Sequence, residues 1–202
     1  MNRSLWAPWR MAYIQSLDAQ HAAEVAATPG ASAAPSASSN FLAQYWAHPD
    51  RDHEQLVVHR DSLGMVLLNR YPYANGHLLV ALGEPRGSLG EYAHDDRAHF
   101  WRLMDLAMAL CSAACDPQGM NVGLNIGRAA GAGLPEHVHG HVVPRWAGDC
   151  NFLSVFGEVR VIPDALEQSW QRYREALPSV LAVLAKCDSP ATRATRAKNV
   201  PH

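Results

Sequence analysis

Three histidines alternate with small apolar residues in EHVHGHVVPRW, residues 136–146: His137, His139 and His141. Side chains on an extended strand point alternately to opposite faces, so residues two apart are neighbours about 6.5–7 Å from one another. The spacing lines one face with three imidazoles and sends Val138 and Val142 to the other, toward a core. Gly140, between the valines, marks a place where a helix or backbone packs close.

Three chemistries are compatible with this pattern. The plainest is a polar strand face of satisfied histidines. A metal site is the second: the HxH pair supplies two imidazoles, and His77, Glu136 or Asp149 could complete a zinc set. The third is a nucleophilic histidine. A neutral imidazole can attack phosphorus through a bare nitrogen if a carbonyl or second imidazole holds the proton on the other. The glycine-rich run GRAAGAGLP, residues 127–135, directly precedes the histidines. Its backbone N–H groups can approach phosphate without obstruction by Cβ atoms.

The elements that must position these residues follow from periodicity. QLVVH (55–59), GMVLLN (64–69) and HLLVAL (77–82) read as strands, the first two joined around Arg60, Asp61 and Ser62 with hairpin spacing. From Asp95 to Cys115 the period changes: Phe100, Leu103, Met104, Ala107, Leu110, Cys111 and Ala114 form one helical face. Asp95 or Asp96 is expected to cap it, and Asp116-Pro117 to end it. GMNVGLNIG (119–127) and EHVHGHVVPR (136–145) alternate as strands. DALEQSWQRYREAL (164–177) reads as a second helix, interrupted at Pro178 and followed by a short helix to Lys186. Short strand connections favour an antiparallel sheet of about five strands with helices packed on it, an α+β domain. The expected organisation is an N-terminal packing segment (1–26), a flexible Ala/Ser/Pro-rich loop and insertion (27–54), the main domain (55–187) and a flexible tail (188–202).

Composition narrows the function classes. A net charge of −2 over 202 residues gives no broad attraction to nucleic acid or an anionic membrane, so an anionic ligand must be gripped locally. No apolar run approaches the roughly 18 residues of a membrane span, and the opening lacks a signal-peptide pattern. The four cysteines form no CxxC pair, which fits free thiols in a reducing cytoplasm. His94 and His99 are expected at exposed or capping positions. Trp6 and Trp9 are expected to pack or make dimer contacts. Arg128 and Arg145 are each read two ways, as phosphate contacts or as solvated side chains.

Several further motifs occur in order. Asn69-Arg70-Tyr71-Pro72 precedes Asn75-Gly76-His77-Leu78-Leu79-Val80, Asn125-Ile126-Gly127 precedes Ala130-Gly131-Ala132-Gly133, and Pro144-Arg145-Trp146 leads into Gly148-Asp149-Cys150-Asn151-Phe152. With HVHGHVV and the opening LWAPWRMAYI, these motifs resemble the histidine triad (HIT) superfamily of nucleotide hydrolases and transferases. Within it they are most similar to the bacterial diadenosine tetraphosphate phosphorylase-like branch.

The resemblance implies a HIT-like fold, a homodimer, and a small-molecule nucleotide substrate attacked at its α-phosphorus. His139 would be the nucleophile, forming a nucleotidyl-histidine, with His137 and His141 in support. Asn69, His77, Asn125, Gly131, Ala132 and Gly133 would bind the nucleotide, as would Asn151 and Phe152. No cofactor is required; any divalent metal would come with the substrate phosphates. Many relatives in this branch carry a zinc-binding CxxC pair. Ser39-Asn40-Phe41-Leu42 stands in its place here, so that zinc site is expected to be lost. Two rival functions stay open on sequence alone: a nucleotide-binding sensor without turnover, and a metal-dependent hydrolase using the HxH pair.

Overall fold

The computed structural model describes residues 40–149 and 165–187. Expectations for the opening segment, for residues 27–39, for Asn151 and Phe152, and for the tail after Cys187 lie outside them. Within the range expected to be loop and insertion, Phe41–Ala47 forms a helix, α1. Asn40 caps it, Oδ1 accepting the Ala43 N–H at 2.9 Å. Seven residues are too few for helical stability alone; burial of Leu42 and anchoring at the far end supply the rest. The Arg60 guanidinium donates to Tyr45 O at 2.9 Å and Trp46 O at 3.2 Å, placing a cation on the helix's open carbonyls, and pairs with Asp52.

Five strands follow: β1 (Val57–Arg60), β2 (Gly64–Leu68), β3 (Leu78–Leu82), β4 (Gly119–Leu124) and β5 (His139–Arg145). They form one antiparallel sheet in the order β1-β2-β3-β5-β4. The expected turn between β1 and β2 is built on Asp61, whose Oδ1 accepts the N–H groups of Leu63 and Gly64. The five-stranded antiparallel α+β architecture read from the sequence is the one observed.

Two long helices cover one face of the sheet: α2 (His94–Cys115) and α3 (Leu166–Cys187). α2 buries Phe100, Leu103, Met104, Leu106, Ala107, Leu110 and Cys111 against Val80, Val138 and Val142. Gly140 lies beneath this helix, as its missing side chain suggested. A Cβ there would overlap Met104 Sδ and come within 3.1 Å of Phe100 Cζ.

Two boundaries differ from expectation. α2 starts at His94, so Asp95 and Asp96 fall in its first turn and act on the helix dipole instead of capping it. α3 runs unbroken through Pro178. The proline removes one backbone donor on the exposed side, while Leu177 and Val180 stay buried on the other and hold the helix together. α3 also reaches a strand connection. Tyr173 Oη donates to Gly76 O at 2.6 Å, and Gly76 (φ +78°) sits so close that a Cβ would fall 2.8 Å from Cys115 Sγ and 3.0 Å from Tyr173 Oη.

Candidate active site

The register places His139 opposite Ala81 and His141 opposite Leu79, on the sheet face away from α2. That face carries its own small core of Leu42, Val57, Met65, Leu67, Leu79, Ala81 and Leu134, to which α1 contributes. The β-strand periodicity therefore does what the spacing demanded for two of the three histidines.

His137 is the exception. The expected strand over 136–145 begins only at His139. His137 N–H closes a turn onto Leu134 O at 3.2 Å, and Val138 N–H goes to Arg86 O at 2.7 Å. Outside the pleat, the His137 ring is not in register with the others. It is fully buried, Nε2–H donating to Leu82 O at 2.7 Å and Nδ1 lying 3.2 Å from Asn40 Oδ1. Its backbone carbonyl turns the other way and accepts Nδ1–H of His139 at 2.8 Å.

His139 and His141 have ring centroids 5.0 Å apart. Behind His141 stands His77, wholly buried, with Nε2 3.1 Å from His141 Nδ1. His77 Nδ1 is met by Asn69 Nδ2 at 3.2 Å and by the Tyr73 N–H at 3.1 Å. The Tyr73 ring lies 4.8 Å from His77 and stacks on His141 at 5.9 Å and 14°. His77 and Asn69, expected to touch nucleotide, are thus joined to His141 as its backing. Tyr73 and Asn40 were not singled out. Asn40, a preferred cap residue ahead of an apolar run, carried a readable signal; the Tyr73 contact depends on loop geometry and carried none.

Burial sets the charge of the cluster. Desolvation is the first cause in each case and holds all three imidazoles below the usual histidine pKa, His141 at about 4 with His139 adding to the effect. The rings are neutral at neutral pH. An unfolded chain takes up protons on these groups first, so stability is complete above pH 6.5 and falls as pH drops toward 4. Asp61, whose pKa is depressed below 3.8, adds its own loss at still lower pH. Urea midpoints measured across this range should fall with pH; a flat profile would contradict the neutral, desolvated cluster.

The glycine-rich loop is a tight turn with Gly127 at φ +80° and Gly131 at φ +84°. The N–H groups of Ala130, Gly131 and Ala132 close it on itself, and Asn125 Nδ2 reaches Gly131 O at 3.5 Å. Among the described residues, no backbone hydrogen bond engages the Gly133 N–H, and a Cβ on Gly131 or Gly133 would meet open space. Asn125, Gly131 and Ala132 therefore shape the loop, and Gly133 offers the amide. Arg145 is forked onto Asp149, at 2.5 and 2.7 Å, and onto Asn121 at 2.9 Å, so it braces the exit from β5. Arg128 lies exposed in the loop turn. His99 pairs with Asp61 at 2.7 Å, and His94 is exposed. Among the described residues no group of three or more His, Cys, Asp and Glu is arranged to hold a metal ion.

The HIT domain pattern matches residues 50–148. Over 165 residues, 82% of this chain and 79% of the relative, the sequence is 37% identical to a protein named AP-4-A phosphorylase from Mycobacterium tuberculosis. The chain belongs to the HIT family. Among HIT structures it is similar to a zinc-bound histidine triad family protein from Mycobacterium smegmatis, at 26% identity and TM-score 0.55 over 69% of this chain and 96% of that one. A hypothetical histidine triad nucleotide-binding protein from Sulfolobus tokodaii shares the fold, with TM-score 0.56 and 22% identity over 73% of this chain and 97% of the other. The resemblance read from NRYPYANGH and HVHGHVV is confirmed. In this HIT protein Asn40, within the stretch 39–42, contacts the first triad histidine.

Proposed function

We propose that this HIT protein cleaves adenine dinucleoside polyphosphates, diadenosine tetraphosphate foremost, by nucleotidyl transfer through His139. The observation that carries the reading is the bond from His139 Nδ1–H to His137 O. It fixes the tautomer in which Nε2 is bare, and Nε2 has no hydrogen-bond partner among the described residues. The Nε2 lone pair attacks the α-phosphorus, the bond from phosphorus to the bridging oxygen breaks, and the polyphosphate leaves with that electron pair. Inorganic phosphate or water then attacks the same phosphorus and returns the pair to Nε2. Neutral His139 approaches an anionic ester without charge repulsion. His141, whose ring centroid lies 5.0 Å from that of His139, and the Gly133 N–H of the preceding loop are the donors assigned to offset charge on the phosphoryl oxygens.

The 37% identity to a named AP-4-A phosphorylase supports phosphate as the acceptor. No helix among the described residues is long and apolar enough to cross a membrane. The free thiols Cys111 and Cys187 suit a reducing cytoplasm. A homodimer is favoured by the sheet edge at β4, whose Val122 and the following Ile126 are exposed.

Incubation with diadenosine tetraphosphate, with and without inorganic phosphate, tests the reading. ADP plus ATP formed only with phosphate establishes phosphorolysis, and AMP plus ATP establishes hydrolysis. Absence of product from this compound and from an adenosine phosphoramidate would defeat the enzyme reading in favour of a sensor. Loss of activity in chelator would revive the metal-dependent alternative.

A further inference from the structure

His141 Nε2 is buried and has no hydrogen-bond partner among the described residues. Whether that atom carries a proton decides whether it can serve a phosphate oxygen. The answer is written in the atoms behind it. A backbone N–H can only donate. Tyr73 N–H points at His77 Nδ1 at 3.1 Å, so that nitrogen is an acceptor. The Asn69 amide is oriented independently, because its Oδ1 accepts the Tyr71 N–H at 3.0 Å. Its Nδ2 is therefore the end facing His77 Nδ1, a second donor at 3.2 Å.

With Nδ1 bare, the single proton of neutral His77 sits on Nε2 and is donated to His141 Nδ1 at 3.1 Å. His141 Nδ1 is then bare as well, and the proton of neutral His141 sits on Nε2, the orphaned atom. The Tyr73 ring, stacked on His141, restricts rotation of the imidazole away from this alignment. We propose that Asn69, together with the backbone N–H of Tyr73, is a positioning residue that sets the proton on His141 Nε2 through His77, making His141 a donor to the anionic substrate. The proposal rests on the nucleotidyl-transfer reading for its purpose, while its proton assignment can be read without substrate.

The test is Asn69→Asp, which retains an acceptor for the Tyr71 N–H but presents only oxygen to His77 Nδ1. Nitrogen-15 NMR of the imidazoles in the intact wild-type chain should show protons on His77 Nε2 and His141 Nε2, with both Nδ1 atoms bare. In Asn69→Asp the carboxylate competes with the Tyr73 N–H for His77 Nδ1 and, carrying the negative charge, should draw a proton onto that nitrogen, so the His77 and His141 nitrogens should both shift. kcat on diadenosine tetraphosphate should fall about 10- to 100-fold with KM changed only a few-fold. Asn69→Ala leaves the Tyr73 donor in place and should lose less activity. A purely structural asparagine gives the reverse order, since alanine breaks both of its bonds and aspartate one. Unshifted nitrogen signals in Asn69→Asp, wild-type kcat in that variant, or alanine as the more damaging change would each overturn the proposal. Should Asn69→Asp not fold, the wild-type and Asn69→Ala spectra still decide: a proton on His77 Nδ1 in the wild type overturns it. A wild type with the assigned protons but no turnover supports the proton assignment and overturns the proposed function alone.

Discussion

His139→Ala should lower kcat on diadenosine tetraphosphate by about 10⁴-fold or more, the order seen when a covalent nucleophile is deleted. Nucleotide binding should weaken only a few-fold. The separation follows from geometry. His139 lies on the sheet face away from α2 and the main core, so its removal opens no cavity under the helices. Its one fixed bond is to the His137 carbonyl, which needs no partner on the substrate side. The fold should therefore survive, and thermal unfolding should move by a few degrees at most. A second readout is the intermediate itself. Substrate labelled at the α-phosphate should leave label on the wild-type chain after an alkaline quench, which preserves a nitrogen–phosphorus bond, and none on His139→Ala. Wild-type turnover by the alanine variant would refute the assigned nucleophile outright.

Gly140→Ala is expected to destabilise the protein by about 2 kcal/mol, within the usual range for overpacking a tight core. The new methyl would overlap Met104 Sδ, with Met104 Cε at 3.0 Å and Phe100 Cζ at 3.1 Å. Methionine can yield more readily than a ring, which keeps the cost from being larger. The same displacement pushes on the strand between His139 and His141, so kcat should fall along with stability. Met104→Ala alone should cost about 2–5 kcal/mol as a cavity in a fully buried site. Combined, the two changes should cost at least about 1 kcal/mol less than their sum, because the methyl fills space the sulfur vacated. Strict additivity in denaturant titrations would mean that Gly140 is not held against Met104.

Local rules reached most of the sheet and α2. The short, uninterrupted apolar runs GMVLL and LLVAL, buried on both faces, and the three-four spacing from Phe100 to Cys111 are signals that burial writes directly into sequence. The same rules failed at His137. Alternation in HVHGH is real, but the hydrogen bonds of His137 and Val138 go to Leu134 and Arg86, and that competition between turn and ladder has no one-dimensional signature. Proline is costly inside a helix, so Pro178 predicts a break; burial of Leu177 and Val180, set by tertiary packing, outweighs it. At the site, the nucleophile's face was legible from spacing. The backing of His141 was not, since Asn69, Tyr73 and His77 reach it from another strand connection, and only the register of β3 with β5 brings them together.

The hydroxyl of Tyr173 on the carbonyl of Gly76 has a consequence for assembly. Gly76 immediately precedes His77, while Tyr173 belongs to α3, which follows all the described strands. During synthesis the sheet and all three triad histidines emerge before the residue that clamps this turn. A nascent chain stalled before α3 would hold the imidazoles but lack the buttress beneath them. Competence for chemistry should accordingly appear late, on release and docking of the last helix, not when the strand bearing His139 emerges.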